Sequence, residues 1–114
     1  MAVVDAGTGR IITMQPIGRG VDATEYDPGK GLIYFSSGGD GTMAVFHQDT
    51  PEQYSLVERV KTQIGARTMA VDRKTGNEYL SVAEFGPRPE AGPGNAQPRA
   101  PMIPGTFSVL VFGK

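Results

Sequence analysis

Residues 20–41, GVDATEYDPGKGLIYFSSGGDG, decide the fold, because their framework returns at residues 65–86 as GARTMAVDRKTGNEYLSVAEFG. Gly20, Asp27, Gly31, Tyr34, Ser36 and Gly41 recur as Gly65, Asp72, Gly76, Tyr79, Ser81 and Gly86, each pair 45 apart (65 − 20 = 45; 86 − 41 = 45). A period of this length, carried by strand and turn residues, is the signature of a four-stranded propeller blade. Propellers close with about four to eight blades. A chain of 114 residues therefore predicts an all-β fold, a partial β-propeller of roughly two four-stranded antiparallel blades.

Labelling the strands of a blade a to d from the axis outward, Val21–Tyr26 is strand a and Leu32–Ser36 strand b. Between them, Asp27-Pro28-Gly29-Lys30-Gly31 has proline and glycine where a β-turn wants them. Strand b is apolar without alternation, as expected when neighbours cover both faces. Thr42–Phe46 is strand c, and Tyr54–Thr62 is strand d, on the far side of a long hairpin. Thr50-Pro51-Glu52-Gln53 also has the form of a helix start, with an N-cap and proline at the first helical position.

In the second repeat Arg67–Val71 is strand a and Glu78–Val82 strand b, after which the period breaks. Gly105-Thr106 matches Gly41-Thr42 at a spacing of 64 (105 − 41), which exceeds 45 by 19. Residues 87–105 supply that excess, hold six of the nine prolines, and read as an irregular insert. Phe107–Phe112 is then strand c. Ahead of the first repeat, Ala2–Asp5 and Arg10–Met14 form a c–d hairpin around Gly7-Thr8-Gly9. The expected units are thus a hairpin of a preceding blade (1–18), a complete blade (19–65) and a terminal blade (66–114). Sheets short of strands leave unpaired edges and bare apolar faces. The chain is then either a piece of a longer protein or a subunit whose copies complete one another.

Composition narrows the function classes. Eleven basic against twelve acidic residues give a net charge of −1 with no basic stripe, which argues against nucleic acid as a partner. The absence of cysteine removes disulfides and thiolate metal sites. No apolar run approaches the roughly 20 residues of a membrane span, and the N-terminus does not read as a signal peptide.

Gly65-Ala66-Arg67-Thr68-Met69-Ala70-Val71-Asp72, the Lys74-Thr75-Gly76 turn and Pro104-Gly105-Thr106-Phe107-Ser108-Val109-Leu110-Val111 resemble the closing blades of YVTN-type, lactonase-like β-propellers. The resemblance spans essentially the whole chain but leaves out the first four or so blades of that seven-bladed family, and it implies a periplasmic or extracellular location where the parent is exported. It also places the d–a and b–c loops on one face around the axis. Arg19, Asp22 and Arg67 then lie on or beside d–a loops, and Asp40, Glu84 and the insert on b–c loops. Carboxylates and guanidiniums around such a mouth suit an anionic ligand or a metal, whereas as ordinary loop charges they pair or stay solvated. Arg67 is the residue whose loss should weaken binding more than folding.

His47 is the single histidine and falls at the opposite end of strand c, with no second histidine or cysteine to form a metal cluster. Asp27 and Asp72 match as turn residues that cap their own loops. Ser36, Ser37 and Ser81 have no Ser-His-Asp arrangement on one face, and the G-x-S-x-G elbow is absent. Gly38-Gly39-Asp40-Gly41 leads into a strand and so lacks the helix N-terminus of a phosphate cradle. Tyr26, Tyr34, Phe35, Tyr79 and Phe85 read as packing between blades.

The leading expectation is a non-catalytic binding or scaffolding module that recognises a ligand or protein partner on the d–a/b–c loop face, with no cofactor. The stiff proline-rich insert would extend that surface toward a peptide or protein. The alternative implied by the resemblance is a lactonase-like hydrolase fragment with a channel metal held by Asp22, Asp40 or Glu84.

Overall fold

The computed structural model describes residues 1–94 and 98–113. Nine strands are present: β1 (Ala2–Val4), β2 (Ile11–Met14), β3 (Val21–Asp27), β4 (Leu32–Ser37), β5 (Thr42–Thr50), β6 (Gln53–Lys61), β7 (Arg67–Val71), β8 (Glu78–Val82) and β9 (Ser108–Phe112). They pair in chain order into antiparallel sheets of two (β1–β2), four (β3–β6) and three strands (β7–β9). The described residues contain no helix, and no sheet closes into a barrel. The protein is all-β, with a partial, propeller-like arrangement of stacked sheets. The segment around Thr50-Pro51 is the turn of the β5–β6 hairpin and forms no helix.

Period-2 alternation sends the apolar runs Leu32–Phe35 of β4 and Met43–Phe46 of β5 to two opposite faces. Tyr34, Met43 and Val45 point to one face of the four-stranded sheet and are buried with Met69, Leu80 and Val82 of the three-stranded sheet. Phe35, Ala44 and Phe46 point to the other face, where Met1 and Ile17 pack against them. The Phe35 and Phe46 rings meet edge to face, with centroids 6.0 Å apart and planes at 85°. The central sheet is thus covered twice, and the outer sheets once each. This openness shows in the radius of gyration, 16.9 Å, against about 13 Å for a compact domain of this length.

Aspartates fix the turns. Asp5 accepts the Thr8 hydroxyl at 2.8 Å and the Thr8 and Gly7 N–H groups at 2.7 and 3.0 Å. Asp72 repeats the device with the Lys74 N–H at 2.9 Å and the Thr75 hydroxyl at 2.8 Å. Asp27 accepts the Gly29 N–H at 3.0 Å. Donation from the Thr8 hydroxyl and N–H holds the Asp5 carboxyl below its ordinary range, and the Lys74 N–H with the Thr75 hydroxyl does so for Asp72. A carboxyl whose folded pKa is depressed stabilises the fold above its unfolded pKa, near 4, and that contribution is lost as pH falls through the folded value. The urea midpoint should therefore change little from pH 7 to about 5 and drop below about pH 4. Asp72→Asn should shrink the drop; a midpoint that holds or rises on acidification contradicts this account.

The pairing of β8 with β9 corrects the expected register of the last strand. Tyr34 faces Val45 and Ser36 faces Met43 in the central sheet; Tyr79 faces Val111 and Ser81 faces Val109 in the terminal one. The structural spacing between equivalent c strands is thus 66 (111 − 45; 109 − 43), not 64. A slip of two residues leaves every side chain on the same face, so alternation cannot detect it. The insert is also less irregular than expected at its base. Phe85 and Met102 form a bridge, the Gly86 N–H donates to Pro101 O, and the Ile103 N–H donates to Glu84 O, both at 2.8 Å. Residues 95–97 of the insert, and Lys114, lie outside the described residues.

Candidate ligand-binding cleft

One end of the stack gathers the loops before β3 and β7 and the loops that follow β4 and β8. The Gly38 and Gly39 N–H groups donate to the carbonyls of Gly20 and Arg19 at 3.1 and 3.0 Å, and the Gly65 N–H donates to Gly38 O at 2.8 Å. Asp40 pins this network, accepting the Arg19 N–H at 3.0 Å and the Thr42 hydroxyl at 2.7 Å. Those two donors hold its carboxyl below the usual range. Asp22 reaches across to the next sheet and accepts the Thr68 N–H at 2.8 Å. Thr68 has φ 55°, a left-handed conformation rare for a β-branched residue. The Asp22 carboxylate therefore braces a strained bulge between Arg67 and Met69, next to Arg67 itself.

Beside this bulge opens a cleft of about 690 Å³. Three arginines border it, Arg67 from the start of β7 and Arg88 and Arg99 from the insert, together with Phe85 and Phe107. No acidic residue is among the described residues that line it. Arg67 is oriented locally, its Nε 3.4 Å from Gly65 O, while its own carbonyl accepts the Ser81 hydroxyl at 3.0 Å. Planar guanidinium donors match the geometry of carboxylate and phosphate groups, and the aromatic rings offer an apolar surface beside them.

Of the residues singled out in the sequence, Arg67 lines the cleft. Arg19 and Asp40 meet each other, and Asp22 meets Thr68, so both carboxylates are engaged by backbone N–H groups. Glu84 enters through its backbone, its N–H donating to the Thr106 hydroxyl at 3.0 Å. Among the described residues no group of three or more His, Asp or Glu stands close enough to hold a metal ion. His47 lies elsewhere, paired with Asp49 at 2.8 Å on the β5–β6 hairpin. Tyr26 and Phe85 do not pack between sheets as expected: they are 41% and 55% exposed. Phe85 is instead part of the cleft. Arg88 and Arg99 were hidden in the insert by its proline content; the signal was the recurrence of arginine on loops that share one face.

No helix among the described residues is long and apolar enough to cross a membrane. In comparisons with protein-family models, with curated proteins and with solved structures, no match to this chain was found.

Proposed function

We propose that the chain is a non-catalytic binding module of a YVTN-like β-propeller, and that it recognises a ligand on the d–a/b–c loop face at the cleft of Arg67, Arg88 and Arg99. The supporting observation is that three arginines and two phenylalanines border one open cleft, with no acidic residue among the described residues that line it. The ligand this favours carries a carboxylate or phosphate on a flat apolar body. The lactonase-like alternative draws no support from the placement of its residues, since Asp22 and Asp40 already accept N–H groups that brace loops.

Titration with phenyl phosphate, followed by backbone amide NMR shifts, tests the reading. The expected result is saturable change at Gly65, Arg67, Ser81 and Phe107, weakened about tenfold or more by Arg67→Ala, as for a lost charge-assisted hydrogen bond. The melting temperature should stay within a few degrees. Unsaturable or scattered shifts, or a large loss of melting temperature with unchanged binding, would sink it.

A further inference from the structure

We propose that Asp22 is a positioning residue for the arginine cleft: by capturing the Thr68 N–H it moves the β7 bulge one residue along the chain and keeps Arg67 in the ladder opposite Ser81. This rests on the reading of the cleft as a ligand site. The repeat supplies the comparison within one molecule. In the central sheet Glu25, Thr24 and Ala23 pair with Tyr34, Phe35 and Ser36, and the ladder resumes at Val21 and Ser37. Asp22 is there the extra residue of a bulge. In the terminal sheet the counterparts Ala70 and Met69 pair with Tyr79 and Leu80, as the repeat requires. The next pair departs from it. Ser81 faces Arg67 where the repeat calls for Thr68, the counterpart of Ala23, and Thr68 becomes the extra residue.

The hydrogen bonds show what accompanies the change. In the central sheet Ser36 Oγ accepts the Ala23 N–H at 3.2 Å. In the terminal sheet the matching Thr68 N–H goes instead to Asp22 Oδ2 at 2.8 Å, on the neighbouring sheet. The Ser81 hydroxyl, counterpart of Ser36, acts as a donor and binds Arg67 O at 3.0 Å. The exchange has a cost: Thr68 takes φ 55°, which a β-branched residue keeps only where its surroundings over-determine it. The Asp22 carboxylate is the group that does so.

With the bulge in its repeat position, Arg67 would be the unpaired extra residue, because its counterpart in the first repeat is Asp22. A bulge re-aims the side chains at it. The observed register instead seats Arg67 beside Ser81, and both line the cleft. Asp22 is not among the described residues that line it, so it acts on a ligand through Arg67 and not by contact.

Two NMR readouts on the whole chain test this. One is the Overhauser contact between the N–H and Hα of Thr68, which is strongest at positive φ and needs no ligand. The other is the phenyl phosphate titration. Asp22→Ala should remove the strong Thr68 contact, as the bulge returns to its repeat position, and weaken binding about tenfold, as much as Arg67→Ala. The melting temperature should stay within a few degrees, since Asp22 is exposed. Asp22→Asn keeps an acceptor oxygen and should leave both readouts as in the parent chain. Binding unchanged in Asp22→Ala, or a Thr68 contact that stays strong without the carboxylate, overturns the proposal. So does a loss that Asp22→Asn does not spare, which is the outcome expected if the charge acts and not the acceptor. A parent chain that shows the Thr68 contact but no saturable binding fails differently: the reading of the cleft falls, and the positioning role with it.

Discussion

Phe46→Ala is expected to cost about 3–5 kcal/mol, the range for truncating a buried aromatic side chain. Phe46 is 1% exposed and lies with Phe35 and Ala44 under Met1 and Ile17. Its removal leaves a cavity where the hairpin segment and the central sheet meet. The backbone there is held by the β4–β5 and β5–β6 ladders, so collapse into the space is limited. Domains of this size are stable by about 5–15 kcal/mol, so the loss is a large share of the total. In urea the midpoint should fall sharply at unchanged m-value. Val111→Ala, on a half-exposed side chain, should cost under about 1 kcal/mol. A Phe46→Ala loss as small as that of Val111→Ala would mean that the N-terminal segment does not pack on this face.

The contrast between Phe46 and Val111 marks where the sequence was readable. Leu32–Ser36 showed a strand covered on both sides, and Tyr34 and Phe35 do go to opposite cores. Tyr79 and Val111 carry the same apolar pattern, yet only the three-dimensional stack reveals that no sheet among the described residues lies over Val111. The residue pattern is the same whether a neighbour is present or not. The c-strand register was misread by two because the Gly105-Thr106 word matched Gly41-Thr42, and faces repeat every two residues. The loop face was legible from strand order, and Arg67 with it. What Asp22 and Asp40 do there was not, because a carboxylate bonded to backbone N–H and one awaiting a ligand have the same sequence. Arg88 and Arg99 come to the cleft from an insert whose base is stitched by the Phe85–Met102 bridge, a pairing that no periodicity announces.

Gly20→Ala is the second substitution with a large expected effect, about 3 kcal/mol, and its repeat partner Gly65→Ala supplies the control. Gly20 has φ +66°, and a Cβ there would lie 2.8 Å from Gly39 N and 3.0 Å from Gly39 Cα. The left-handed backbone alone costs alanine about 1–2 kcal/mol. The overlap is with main chain, which cannot rotate away, and forcing it apart costs about 1–3 kcal/mol more. The movement would fall on the loop whose Gly38 carbonyl holds the Gly65 N–H, so it spreads to the wall of the arginine cleft. Gly65 has φ +87°, and a Cβ there would meet nothing within 4 Å. Gly65→Ala should therefore lose only the backbone share, about 1–2 kcal/mol. Urea unfolding of the two variants side by side separates the terms. Equal losses would mean that glycine is required at both positions for its φ alone, and that the two loops before β3 and β7 do not differ in how closely the next loop crosses them.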